Sequence, residues 1–456
     1  MNNKKIVVAL KYYKGELNPF DGSALENALL IENASVIVVA MAPRSVEEHL
    51  TGLTRLGVKA VLVTDNAFAG SDTWATSLVL SKVIKEIKPD FVFCGRQSVD
   101  GDTAQIPPML AKRLDYGFVT NVMEVQGGNL CLRNGMQVLL SDNTVVAFEK
   151  TKNLRFPSIF SKIGDLEIIS NENLQIPLDK CGLNGSTTRV VKTYESTVGR
   201  RFCQFKTIDE LSALINSALS KENKDLNAPL DKKLNLIYYV GNVEKVAKNI
   251  ANKVVKIDCK NKNPEEIAEF ICKNNVRYVI WEDSDELKTL ASQVAVITNA
   301  GLCADCISFG VKGDELIMTR PANGGSVTAD IVGTSAVTMA TVRTAKKDCA
   351  DVVFSIGKGA ISKKEEILKF AEKFNADVCC SRIVADSGKM PYSAQVGLTG
   401  KTVSPKVYVA FGISGAVQHT CAISGAGTVI AINKNKNERI FDYADFGIVE
   451  DIDKIL

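Results

Sequence analysis

The feature that most limits what this chain can fold into is a repeated alternation of short, wholly apolar runs with amphipathic stretches. The first third reads as strand "KIVVAL", helix "SALENALLI", strand "SVIVVAM" and helix "VEEHLTGLTRLG". Strand "KAVLVTD", the long helix "TWATSLVLSKVIKEIK", strand "FVFCG" and a helix across "TAQIPPMLAKRL" follow, the last started near 107 by Pro107 and Pro108. Strands that are apolar at successive positions are buried on both faces, and the helices between them supply crossovers and covering layers. The pattern predicts an α/β protein with mostly parallel sheets. Residues 118–190 lose the alternation, predicting shorter strands and loops, and "IDELSALINSALS" predicts a helix over 208–220. "KENKDLNAPLDKKLN" at 221–235 is polar, charged and without periodicity, which predicts a linker. The alternation restarts with "LIYYVG", "VEKVAKNIANK", "VVKIDC", "PEEIAEFICKN" and "VRYVIWE". It begins a third time at 351 with "DVVFSIG", "KKEEILKFAEKF", "ADVCCSR", "KVYVAFG", "AVQHTCAI" and "TVIAIN". Three α/β units are expected: 1–190, then an arm and linker over 191–235, then 236–344 and 345–456.

Composition excludes several function classes. A net charge of +3 over 456 residues, with no Lys/Arg run interleaved with aromatics, argues against nucleic acid as partner. No apolar run is long enough to cross a bilayer, and the five-residue "IVVAL" near the start reads as a strand rather than a signal peptide. Twelve scattered cysteines suit reduced thiols in a cytoplasm. "CADC" at 303–306 lacks a second pair or neighbouring histidines, which argues against a metal site. The chain holds two histidines, His49 in the charged "SVEEHLTGL" and His419 in "FGISGAVQHTCAIS". Two cannot furnish a convincing Ser/His/Asp, Cys/His or zinc constellation, so chemistry here points to a bound organic cofactor.

In open parallel sheets, ligands bind beyond the carboxyl ends of strands. Three loops there carry suitable residues. "CGRQSVDGDTAQIPP" offers backbone N–H groups and hydroxyls for a diphosphate, or is a long polar turn. "QVGLTGKTVSP" at 395–405 ends like a Walker A loop, but Gln395 stands where the first glycine is required and a strand follows; a nucleoside triphosphatase is rejected. "GISGAVQH" follows a strand, with a helix expected to aim its positive end at a ligand. On local grounds His419 serves equally as a structural residue or as a donor to developing negative charge. "GKGAIS" at 357–362 also sits between strand and helix but lacks the full G-x-G-x-x-G.

Together these loops resemble the electron transfer flavoprotein family. "SRIVADSGKMPYSAQVGLTGKTVSPKVYVAFGISGAVQHTCAIS", with "TVIAINKNKNERIFDYADFGIVEDI", is similar to the FAD-binding domain of the α subunit. "RPANGGSVTADIV" with "MATVR" resembles the end of that subunit's first domain. "NPFDGSALENAL", "TDNAFAGSDTWATS" and "GRQSVDGDTAQ" resemble the β subunit. The order implies a natural β–α fusion joined near 221–235. It further implies adenine-nucleotide-hydrolase-like folds for the β half and first α domain, and a Rossmann-like C-terminal domain.

Carried over position by position, the resemblance implies FAD contacts at Lys358, Ser381, Arg382, Val396, Gly397, Leu398 and Thr399. Further contacts fall on Ser414, Gly415, Ala416, Val417, Gln418, His419, Asn433, Asp451 and Ile452. His419 would lie beside the pyrimidine end of the flavin and, with Arg382, favour its anionic one-electron state; Thr399 would face N5. In the β half the implied nucleotide contacts are Ala9, Asn18, Pro19, Phe20, Asp21 and Met41. The loop Gly95, Arg96, Gln97, Ser98, Val99, Asp100, Gly101, Asp102, Thr103, Ala104 and Gln105 completes them.

One branch of the family holds AMP there; another holds a second FAD and splits the electrons of NADH between two acceptors. Small residues at Ala67, Ala69, Gly70 and Gly101 favour the larger ligand. The resemblance therefore implies a bifurcating carrier serving an acyl-CoA dehydrogenase and ferredoxin or flavodoxin, its FAD domain swivelling on hinges near 344–351 and 190–205. The runner-up is a single-FAD, AMP-containing carrier, and a non-redox nucleotide-binding regulator is a third reading. Three departures stand out. Lys358 replaces the usual arginine, the region before "RPANGG" is about half the usual length, and the β signature around "VVAFEKTKNLRFPS" is degraded.

Overall fold

The computed structural model describes residues 4–195, 199–220, 230–342, 349–397 and 400–452. Most of the expected linker (221–229), the hinge positions 344–348, and Leu398 and Thr399 lie outside the described residues. The chain forms two compact units. The first is Met1–Thr193, Pro229–Asn323 and Ala329–Arg343; the second is Tyr194–Ala228, Gly324–Thr328 and Thr344–Leu456. Both are α/β.

The first unit holds a nine-stranded sheet. Its strands lie in the order Leu166–Ile169, Lys59–Val63, Ala34–Met41, Lys4–Leu10, Phe91–Gly95, Thr144–Phe148, Gly117–Gln126, Asn129–Leu132 and Gln137–Leu139. Pairing is parallel as far as Gly117–Gln126, and the last two strands add antiparallel. Residues of Lys4–Leu10 and Phe91–Gly95 pack alternately into two apolar clusters, one on each face, as a doubly covered sheet requires. A second, all-parallel sheet runs Ala251–Lys256, Leu234–Val240, Tyr278–Glu282, Thr338–Val342 and Gly301–Cys306. Met109, from the helix Ile106–Leu114 that follows Phe91–Gly95, is wholly buried in the core of this second sheet.

The second unit is built on a six-stranded parallel sheet, in the order Gln204–Lys206, Phe446–Ile448, Thr428–Ile432, Val407–Phe411, Val352–Ile356 and Asp377–Cys380. Apolar side chains cover both faces of this sheet as well.

Both major sheets have a point where the strand order reverses. In the first it lies between Lys4–Leu10 and Phe91–Gly95, and in the second between Val352–Ile356 and Val407–Phe411. Loops leaving such neighbours in opposite directions open a crevice at the strand ends.

Candidate nucleotide sites

At the first reversal point the loops enclose a cavity of about 920 Å³. Of the positions where the resemblance implies nucleotide contacts, Ala9, Asn18, Asp21, Met41, Gly95, Arg96, Gln97, Ser98, Gly101, Thr103, Ala104 and Gln105 line it. Five other expected positions stand behind or beside this wall. Pro19 and Phe20 open the helix Pro19–Leu29, and the Arg96 guanidinium lies 5.9 Å from the centre of the Phe20 ring. Val99 is exposed. Asp100 pairs with Lys11 at 2.7 Å, and buried Asp102 accepts from Gln97 Nε2 at 3.3 Å.

Two kinds of lining residue are not among the positions the resemblance implies. Lys11 and Arg44 bring positive charge, and Asn66, Ser71, Asp72 and Thr73 form a polar wall. The "TDNAFAGSDTWATS" motif pointed to that wall without saying which side chains face inward.

Buried polar groups give the cavity its character. Asn18 donates from Nδ2 to the Gln97 carbonyl at 3.0 Å, while its Oδ1 is buried with no hydrogen-bond partner among the described residues. An idle buried acceptor is costly unless a ligand donor meets it. Asp21, 5 % exposed, accepts from the backbone N–H of Lys11 at 2.7 Å and of Gly95 at 2.9 Å. Burial nevertheless dominates and pushes its carboxyl up to about 7, against those bonds, Asn18 and the Lys11 charge. At Asp100 burial also works upward, but the Lys11 ammonium and hydrogen bonds from Lys11, Ser98 and Gly101 together hold its carboxyl below the usual value.

Asp72 ties this wall to the chain behind it. Its Oδ1 caps the helix Thr73–Ile87 by accepting from Ala75 N, while Oδ2 accepts from the N–H and hydroxyl of both Thr187 and Thr188 at 2.8–3.0 Å.

In the second unit, the loops after three adjacent strands converge. Gly357 N–H donates to Phe411 O and Gly359 N–H to Gly412 O, setting exposed Lys358 beside the loop Gly412–Ala416. Ser381 N–H donates to Ile356 O, and Val396 N–H to Cys380 O at 2.9 Å. Arg382 forms an ion pair with Asp386 one turn on. A side chain at Gly397 would press on Gln418 O, so the 396–397 loop lies directly against Val417–His419. Asn433 Nδ2 donates to Ile413 O at 3.0 Å. Ile452 is buried in the sheet's core, with half-buried Asp451 beside it. Ser414, Ala416 and Gln418 are exposed while Gly415 between them is buried. Gly415 has φ +84°, and a Cβ there would strike the Ile440 backbone nitrogen, so only glycine permits the turn.

The helix expected behind Gly415 is a single turn, Val417–Thr420, continued as a 3₁₀ turn over Cys421–Ile423. So few aligned peptides sum to little dipole, and the anion-favouring effect expected from it is small. His419 is 6 % exposed and its Nε2 shares a 2.8 Å hydrogen bond with the Tyr408 hydroxyl. Burial lowers its pKa to about 4, against a smaller opposing hydrogen bond to the Val396 backbone, so the ring is neutral at pH 7. Its Nδ1 is buried without a hydrogen-bond partner among the described residues. When Tyr408 donates to Nε2, Nδ1 carries the proton, and its one neighbouring acceptor is the Val396 backbone, out of line for a well-formed hydrogen bond. A donor so placed fits a flavin's electron-rich edge. His49, by contrast, is exposed on the first unit. Cys303 and Cys306 are buried thiols, and no cluster able to hold a metal occurs among the described residues.

The electron transfer flavoprotein domain model matches residues 5–133 and 261–371, and the electron transfer flavoprotein FAD-binding domain model matches residues 348–424. The chain is 38 % identical over 194 residues to electron transfer flavoprotein subunit beta of Thermoanaerobacterium thermosaccharolyticum, covering 39 % of this chain and 75 % of that protein. With subunit alpha of the same organism it is 33 % identical over 215 residues, 37 % of this chain and 65 % of that protein. With the caffeyl-CoA reductase-Etf complex subunit CarD of Acetobacterium woodii it is 31 % identical over 227 residues, 45 % of this chain and 87 % of that protein. Similarity to both subunit types accords with a β–α fusion, and the chain belongs to the electron transfer flavoprotein family, with an FAD-binding domain of the α type.

Proposed function

We propose that this chain carries the two electrons of NADH to two acceptors, an acyl-CoA dehydrogenase and ferredoxin or flavodoxin, with FAD at both its nucleotide sites. The observation that carries the reading is the cavity of the first unit. At about 920 Å³ it approaches the upper end of the ~300–1,000 Å³ typical of small-molecule sites, more than AMP alone fills. The name of CarD, which places that relative in a reductase–Etf complex, supports the reading.

Bound flavin supplies the one- and two-electron chemistry. The chain's own residues bind and orient it. In the first unit Asn18 Oδ1 offers an acceptor, Lys11 and Arg44 offer charge for phosphates, and Asp21 and the Gly95–Gln105 loop shape the floor. In the second unit Ser381, Arg382, Gly397, the Ser414–His419 loop, Asn433 and Asp451 would hold FAD, with neutral His419 donating from Nδ1. An exposed apolar segment suits the dehydrogenase: Phe156, Ile159 and Phe160 are 95 %, 83 % and 87 % exposed.

Anaerobic titration of the full chain with NADH tests this. The reading expects bleaching of flavin absorbance without any dehydrogenase present. A flavin-loaded chain that NADH does not bleach belongs to the single-FAD, AMP-holding type instead.

A further inference from the structure

The Gly95–Gln105 loop that floors the cavity is strained, and the groups that hold it come from far along the chain. Asp102 and Ala104 adopt left-handed backbone conformations, φ 51° and 54°, which are unfavourable for non-glycine residues. Such a loop keeps its shape only when its surroundings over-determine it. Asn323 N–H donates to Asp100 O at 2.8 Å, Gln105 Nε2 donates to Leu302 O at 3.0 Å, and Arg320 Nη1 donates to Gly101 O at 2.6 Å. These partners lie in the α-like half of the sequence yet in the same compact unit.

Arg320 is the unusual one. Its side chain is 4 % exposed, and its Nε and Nη2 are buried without hydrogen-bond partners among the described residues. A guanidinium held by a single neutral carbonyl is a poor structural choice, because burying the charge costs more than one such bond returns. Gly101 lines the cavity, so one peptide unit separates this charge from a ligand there. In so dry a wall, a fixed positive charge acts strongly on phosphates.

We infer that Arg320 is a positioning residue for the N-terminal cavity, fixing the Gly101 turn and biasing the site toward phosphate-bearing nucleotides. This rests on the reading of that cavity as a nucleotide site. The test compares ADP and adenosine binding by calorimetry to the full chain, dialysed free of nucleotide in that cavity, for wild type, R320M and R320K.

R320M should bind ADP about tenfold more weakly, with a smaller loss for adenosine. R320K, which keeps the charge, should recover part of the ADP affinity. Melting temperature and C-terminal FAD content should match wild type in any variant scored. If R320M fails to fold, R320K decides alone: its shorter reach to Gly101 should weaken ADP about threefold or more. Wild-type ADP affinity in a folded R320M, or in R320K where it alone folds, overturns the inference. So does an equal loss of ADP and adenosine binding in R320M. Absence of ADP binding to wild type instead overturns the nucleotide reading and this inference with it.

Discussion

Asp21 should make the first unit less stable as the pH rises toward neutrality. Its carboxyl is buried, and burial holds its pKa at about 7 in the folded chain against 3.8 in an unfolded one. The folded protein therefore retains a proton that the unfolded chain releases above pH 4. Stability attributable to this group is complete below about pH 4, falls as pH rises through 7, and is level beyond. The separation of the two values corresponds to about 4 kcal/mol at 1.36 kcal/mol per pH unit.

D21N isolates this contribution. It keeps the volume and one acceptor for the Lys11 and Gly95 N–H groups but cannot ionise. Any fixed cost of that change is independent of pH. Urea unfolding of the first unit, with its cavity ligand removed, would be followed from pH 4.5 to 8.5 for both proteins. Wild type should lose about 3 kcal/mol relative to D21N across that range. Stability curves that stay parallel would refute the argument, because the two backbone N–H bonds would then have kept Asp21 ionised throughout.

Other consequences are more local. G415A forces a left-handed residue and a contact with the Ile440 backbone, and should destabilise the second unit by about 2–4 kcal/mol, seen as early flavin release on heating. D72A removes the acceptor of five hydrogen bonds and should cost at least about 3 kcal/mol. The same variant should expose 181–188 to limited proteolysis. H419A should retain FAD but remove the buried Tyr408–His419 hydrogen bond, lowering stability by about 1–3 kcal/mol in a denaturant melt.

The sheets were legible where strands are buried on both faces. "KIVVAL", "FVFCG", "KVYVAF" and "TVIAI" are apolar at nearly every position, and each is a central parallel strand. The pattern is silent on edges. Gln204–Lys206 is three residues long and pairs with Phe446–Ile448, about 240 positions away, so no local period announces it. Thr188–Glu195, largely exposed, joins a four-stranded sheet beside Val327–Gly333 for the same reason.

At the candidate sites, glycines and the "NPFD" and "SGAVQH" motifs fall on loops beyond the strand ends at the two reversal points, where close backbone approach restricts composition. Lys11 and Arg320 were not marked. Lys11 follows an ordinary strand, and Arg320 meets Gly101 across 219 positions, a contact that only the folded chain creates. The helix after Gly415 is shorter than the apolar spacing of "VQHTCAI" suggests, because the chain tightens to 3₁₀ after Thr420.

If one chain holds two flavins, an acid extract of the purified chain, assayed for FAD, AMP and protein together, should contain about two FAD per chain and no stoichiometric AMP. One FAD with one AMP per chain would contradict that occupancy.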